Sequence, residues 1–136
     1  MTTITTDMLD TITKSEYEDS CHGDQADGRA IREVLSRIGD KWSLLVIVTL
    51  KGGHLRFTEL QRHIPGISQR MLTLTLRQLE RDGLVSRQVF AEVPPRVEYT
   101  LTPMGSTLIE PAIVLANWAV THHPNIEASR ATYDAR

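Results

Sequence analysis

Gln69, Arg70, Thr73, Arg77 and Arg81 recur at intervals that bring them together on one side of a helix. At about 100° per residue they share an arc with Glu80, so amide and guanidinium donors point outward along one line. Such groups read base edges. A glutamine pairs bidentately with adenine, an arginine with guanine, and a threonine reaches a base edge or the methyl of thymine. Placed in the first turns of a helix, they suit an element whose N-terminal half enters a major groove. A solvated face with some arginine is nevertheless common on amphipathic helices. The neighbouring elements must therefore decide.

The segment Ile64 to Val85, IPGISQRMLTLTLRQLERDGLV, divides into a turn, a capped helix and a stop. Pro65 cannot continue a preceding helix, and Gly66 tolerates positive φ, so the chain redirects before Ser68. Ser68 is then a natural N-cap, its hydroxyl accepting from a backbone N–H of the first turn. No Gly or Pro follows until Gly83, and Leu72, Leu76 and Leu79 form the inward stripe opposite the arginines. The expected reading helix is Ser68 to Arg81. Leu74, at the edge of the polar arc, suits a thymine methyl or a protein surface.

Upstream, Thr58 with Gln61 three residues later has capping-box spacing, and Leu60 and Ile64 supply an inward face. Residues 58–81 thus read as helix, turn, helix. Downstream, Leu84 to Phe90 is rich in β-formers, and Arg96 to Leu101 alternates Val97, Tyr99 and Leu101 with Arg96, Glu98 and Thr100. The two runs pair as a hairpin around Ala91 to Pro95, forming a wing over 84–101. Arg87 and Arg96 on that wing are placed for phosphates or the minor groove. Pro94 and Pro95 suit a stiff tip or an ordinary turn.

Earlier, Ile31, Val34, Leu35 and Ile38 pattern a first amphipathic helix from Arg29, ended by Gly39. Asp40 can cap a second, Lys41 to Lys51, in which Trp42, Leu45, Val46, Thr49 and Leu50 mark one face. Leu44, Ile47 and Val48 make its other side apolar, so it is expected to be central and buried. His54 to Phe57 is short and extended. Thr102 caps a last helix with Pro103 at its first position, over 103–121. Its two apolar stripes, Leu108, Ala112, Leu115, Ala119 and Ile109, Ile113, Ala116, Val120, exceed what a small core needs and call for a partner helix. Pro111 is expected to kink it, and Trp118 to anchor either that interface or the core. The tail is polar and expected to fray from His122, with 124–136 lying beyond the domain.

The chain has 136 residues, enough for one domain with a real core. Its net charge is −2, yet seven acids stand against Lys14 alone before Gly28, so the remainder is basic. Between Arg56 and Arg87 six arginines face three acids, and local charge governs association with a polyanion. Residues 1–27 read as a mobile acidic arm and 28–123 as the folded domain. No apolar run approaches the roughly 20 residues of a membrane span, and the N-terminus lacks a signal-peptide core. A cytoplasmic protein with no membrane partner is expected. The single cysteine, Cys21, has no internal disulfide partner and suits a reducing compartment or a bond between chains.

Enzyme chemistry finds little support. Gly66-Ile67-Ser68-Gln69-Arg70 lacks the second Gly of a nucleophile elbow and opens a helix as an ordinary cap. His54 and His63 fall in different elements, and the adjacent His122 and His123 point apart on a helix, so no metal or other cofactor is expected. A winged-helix module that binds protein without specific DNA recognition is the alternative reading. It would tolerate loss of the basic arc, which here is complete.

Ile38 to Ile47 (IGDKWSLLVI), Arg56 to Leu60 (RFTEL), Ile64 to Val85 and Val93 to Gly105 (VPPRVEYTLTPMG) together resemble the HxlR family of bacterial regulators, relatives of the MarR type. The resemblance covers Arg29 to Val120. It implies a mainly α chain with a small β-hairpin (α+β), a winged helix-turn-helix with added N- and C-terminal dimerisation helices. It also implies a homodimeric repressor on double-stranded operator DNA, released by a small-molecule or redox signal. The site residues carried over are Ser68, Gln69, Arg70, Thr73, Leu74, Arg77, Arg87 and Arg96, with the dimer built from the first helix and the last. Dimerisation gives a near-palindromic operator with half-sites about 34 to 36 Å apart. In redox-sensing members the cysteine stands immediately before the first helix, where this chain has Gly28 and Arg29. Cys21 lies further upstream as the candidate redox sensor, among acids that disfavour a thiolate. A noncovalent effector, or none, is the expectation.

Overall fold

The structure, a computed structural model, describes residues 26–136. Contacts divide the chain into a unit ending at Leu44 and a second from Leu45 to Arg136. The expected acidic arm falls almost wholly outside the described residues, as does Cys21.

The first unit contains α1, Ala26–Ile38. It begins earlier than the Arg29 expected from the apolar period. Asp27 lies in its first turn, where a carboxylate meets the positive end of the helix dipole. Val34 and Leu35 are exposed on it. Asp40 Oδ1 accepts from Trp42 N at 2.9 Å, a turn that leads into α2, Ser43–Thr49.

In the second unit, α2 ends in a single 3₁₀ turn, Leu50–Gly52, so the regular helix is shorter than Lys41 to Lys51. Val46, Ile47 and Leu50 are fully buried, while Leu45 is exposed, which corrects the expectation of a helix buried all round. Strand β1, Leu55–Arg56, precedes α3, Phe57–His63. Here the cap differs from the sequence expectation. The carboxylate of Glu59 accepts from Arg56 N at 3.0 Å, so the helix opens at Phe57 and Glu59, not Gln61, closes the first turn.

Leu60, Ile64 and Ile67 are buried on both sides of the Pro65-Gly66 turn. Ile67 N donates to Ile64 O at 3.3 Å, and Gly66 has φ 88°, the value a type II turn demands of its third residue. Helix α4, Gln69–Arg81, follows. Gly83 terminates it at φ 76°, with Gly83 N donating to Glu80 O and Leu84 N to Leu79 O.

Strands β2, Val85–Phe90, and β3, Arg96–Leu101, pair antiparallel from Val85↔Leu101 to Phe90↔Arg96. Strand β1 adds to the far side of β3 through Leu55↔Tyr99 and Arg56↔Glu98. The expected hairpin is therefore the larger part of a three-stranded sheet in the order β1, β3, β2. Thr102 joins both ends of the wing to the reading helix. Its N–H donates to Leu84 O, its hydroxyl donates to Gly83 O at 2.6 Å, and the same oxygen accepts from Gly105 N at 3.0 Å.

The last helical region is broken in two: α5, Pro103–Ser106, and α6, Ile109–Asp134. Gly105 packs so closely on the Leu84 carbonyl that a Cβ would collide with it. Pro111 does not kink a helix. It sits in the first turn of α6, where a missing N–H costs no intrahelical bond. Nor does the chain fray at His122, since α6 runs through Pro124 to Asp134. Trp118 and His122 rings lie 4.6 Å apart just before that proline, and His123 Nε2 and Glu127 Oε1 approach to 3.4 Å across it. These side-chain contacts lie to either side of the turn that lacks a backbone bond.

The core comprises Val46, Ile47, Leu50, Leu60, Ile64, Ile67, Leu72, Leu76, Leu79, Val85 and Ala112. No helix among the described residues is long and apolar enough to cross a membrane.

Candidate nucleic-acid interface

Helix α4, the expected reading helix, is fixed from one side. Leu72, Leu76 and Leu79 are fully buried, with Thr75 buried beside them and its hydroxyl unpartnered among the described residues. Deeply packed leucines determine the helix's rotation, and the rotation determines which residues face water. Ser68 Oγ accepts from Met71 N at 3.0 Å, so the cap inferred from sequence is formed. The cap uses one acceptor lone pair and leaves the exposed hydroxyl its own O–H donor.

On the opposite side Gln69, Arg70, Leu74, Arg77, Glu80 and Arg81 are exposed. Thr73 is half-buried, and its hydroxyl donates to Gln69 O at 2.8 Å, which leaves its methyl and an acceptor lone pair for the surface. Leu74 is 46% exposed among these polar groups. From Arg70 to Arg77 the helix rises about 10 Å at about 1.5 Å per residue. That matches the rise of three successive base pairs, at about 3.4 Å each. Neither Arg70 nor Arg77 forms an ion pair with another described residue, so both guanidinium groups keep their donors.

The two wing arginines occupy opposite faces of the sheet, because side chains alternate along a strand. Arg87 lies opposite Tyr99 and shares its face with Val85 and Val97. It is exposed. Arg96 shares the other face with Phe90 and Glu98. There its terminal Nη2 is 3.2 Å from Glu92 Oε1, its Nε 3.5 Å from Glu98 Oε1, and its guanidinium carbon 4.1 Å from the centre of the Phe90 ring. Sequence reasoning placed both arginines on the wing but missed Phe90, Glu92 and Glu98 as partners. A signal was present in Glu98, two residues from Arg96 and hence on the same face.

His54 and His63, assigned to different elements, line one half-open cavity of about 390 Å³ with Thr49, Gly52 and Leu55. Among the described residues no three His, Cys, Asp or Glu side chains are grouped to hold a metal ion.

The order is therefore a short helix, a type II turn, a capped helix with a basic outer face, and a wing whose ends are hydrogen-bonded to that helix's stop. The family model described as HxlR-like helix-turn-helix matches residues 37–127. The chain belongs to this family.

HxlR-like relatives agree along most of the chain. An HTH-type transcriptional regulator of Methanothermobacter thermautotrophicus is 45% identical over 115 residues, covering 85% of this chain and 88% of that protein. Among solved structures, the transcriptional regulator ytfH from Salmonella typhimurium has a TM-score of 0.68 at 39% identity, covering 74% of this chain and 90% of the other. The redox regulator HypR in its reduced form has a TM-score of 0.67 at 40% identity, covering 73% and 98%. This HxlR-like protein is a transcriptional regulator of the helix-turn-helix type, and its fold is a winged helix. Its relatives are regulators, not enzymes.

Proposed function

We propose that this HxlR-like regulator is a homodimeric repressor that reads a near-palindromic operator through Ser68 to Arg81 and is released by a small-molecule or redox signal. One observation carries the DNA reading. Gln69, Arg70, Leu74 and Arg77 stand exposed on the N-terminal half of a helix whose other side is locked into the core. In the groove Arg70 and Arg77 address guanine edges, Gln69 adenine, and Leu74 with the Thr73 methyl a thymine methyl. Ser68 acts through the cap that aims the helix. Arg87 meets the backbone from the wing.

The homodimer rests on α6. From Leu115 to Arg136 every residue except His122 and Ile126 is exposed, including Leu115, Trp118, Val120 and Tyr133. A long helix with so little packing of its own gains its stability from a partner. Leu115, Trp118, His122 and Ile126 follow one another at spacings of three and four, a stripe fit for a second copy of the same helix. Val34 and Leu35 of α1 supply further uncovered apolar surface. The likeness to HypR, itself a redox regulator, supports release by a signal. Cys21 is the one thiol available for a redox signal, and a noncovalent effector is the alternative. The protein acts in the cytoplasm on double-stranded DNA.

Selection of duplexes from a randomised pool by the full chain tests this reading. Enriched inverted repeats with centres about 34 to 36 Å apart are expected, together with a dimer mass in sedimentation. A pool that stays random would exclude sequence-specific DNA binding and leave a protein-binding winged helix. For release, diamide treatment of the parent and of Cys21→Ser separates the two signals. Equal loss of DNA by both would remove the thiol route.

A further inference from the structure

Arg96 has the residue type and wing position of a phosphate contact, but its surroundings consume its charge. Two carboxylates bracket the guanidinium, Glu92 from the tip loop and Glu98 from its own strand, while the Phe90 ring covers one face. The Arg96 side chain is 28% exposed and that of Glu98 only 14%. The last cross-strand pair of the hairpin is Phe90↔Arg96, so the stack forms where the strands end and the tip begins. Glu92 N donates to Phe90 O at 2.8 Å, which holds the Glu92 carboxylate's residue close to that pair. Glu98 also turns its other oxygen toward His54 Nε2, at 3.9 Å. One arginine thus ties the tip loop to both wing strands.

A phosphate approaching Arg96 would have to displace Glu92 and lie beside Glu98. The local balance of one guanidinium against two carboxylates repels a polyanion. Arg87, on the other face, has no described carboxylate partner. We propose that Arg96 is a positioning residue, clamped by Glu92, Glu98 and Phe90 to hold the wing tip in its DNA-binding geometry, while Arg87 supplies the wing's phosphate contact. This assignment rests on the DNA-binding reading above.

The two roles predict opposite signs for one substitution. If Arg96 binds phosphate, Glu92→Gln frees it and removes a nearby negative charge, so DNA binding tightens. If Arg96 is a clamp, Glu92→Gln loosens the tip and binding weakens, although the protein has become less acidic. The probe is a duplex enriched by the parent chain from a randomised pool, titrated between about 50 and 200 mM salt. Arg87→Gln is expected to lower the slope of log affinity against log salt by about 1. Arg96→Gln and Phe90→Leu are expected to weaken binding about three- to tenfold with the parent's slope retained, since no phosphate contact is lost. Glu92→Gln is expected to weaken it by a smaller factor. In Arg96→Gln, limited proteolysis within 91–95 should also quicken.

Tighter binding by Glu92→Gln, or a slope reduced by about 1 in Arg96→Gln, would overturn the clamp. So would parent-like affinity in both Arg96→Gln and Phe90→Leu. Should Arg96→Gln fail to fold, the exposed Glu92 still decides the sign. Failure of the parent to enrich any duplex would instead sink the DNA-binding reading, and the clamp's role in it.

Discussion

Arg77 on helix α4 and Arg96 on the wing carry the same guanidinium, and both were legible as basic groups on elements expected to meet DNA. Their surroundings differ. Arg77 is exposed, with no ion-pair partner among the described residues, whereas Arg96 is stacked on Phe90 and held between Glu92 and Glu98. The helix presents charge because its leucines are spent on the core and its polar residues are left to water. The wing spends an arginine on its own shape, because a short hairpin has little apolar area with which to fix its tip. A count of cations along a sequence therefore overstates those available to a polyanion.

The largest expected effect breaks the helix side of this contrast. Leu76→Ala removes a buried side chain that sets the rotation of α4, and should cost about 2–5 kcal/mol of stability in urea unfolding. A loss below about 1 kcal/mol would mean that the leucine stripe does not hold the helix. Next comes Arg70→Ala, expected to lower discrimination at a single base position by about 1–3 kcal/mol. Binding of mismatched duplexes checks it, and equal weakening on every sequence would move Arg70 from base edge to backbone.

Smaller still is Ser68→Ala, which unmakes the hydrogen bond from Met71 N and should destabilise the protein by about 0.5–2 kcal/mol. Affinity should fall with the stability of the first turn, where Gln69 and Arg70 stand, and unchanged hydrogen exchange there would contradict this. Arg87→Ala sharpens the wing side. Its effect should be the same on all duplexes, a loss of about 1 in the salt slope, and any sequence preference in that loss would show that the wing reads bases.

Much of the candidate interface was legible because it depends on near neighbours. Pro65-Gly66, the Ser68 cap, the Leu72, Leu76, Leu79 stripe and Gly83 each act within a turn or two of chain, and the helix they delimit is formed as expected. The alternation from Arg96 to Leu101 likewise gave the strand and its two faces. Other features were not legible. The capping box formed two positions before the expected Thr58 and Gln61 pair, because the backbone N–H of Arg56 donates to the Glu59 carboxylate that reaches it. The length of α6 was hidden by Pro124 and a polar composition, although the helix continues through that proline.

The sequence's motifs carry the family resemblance, and the sequence by itself determined the main elements and their order: helix, turn, helix, wing and closing helix. Local stereochemistry and apolar period suffice for that. Tertiary structure alone decided that β1 joins β3, that Leu45 stays in water while Ile47 does not, and that Gly105 must yield to the Leu84 carbonyl. It also decided the fate of Arg96. Strand register brings Phe90 opposite it and a turn brings Glu92 back to it, and the energy of a charge depends on which groups share its space.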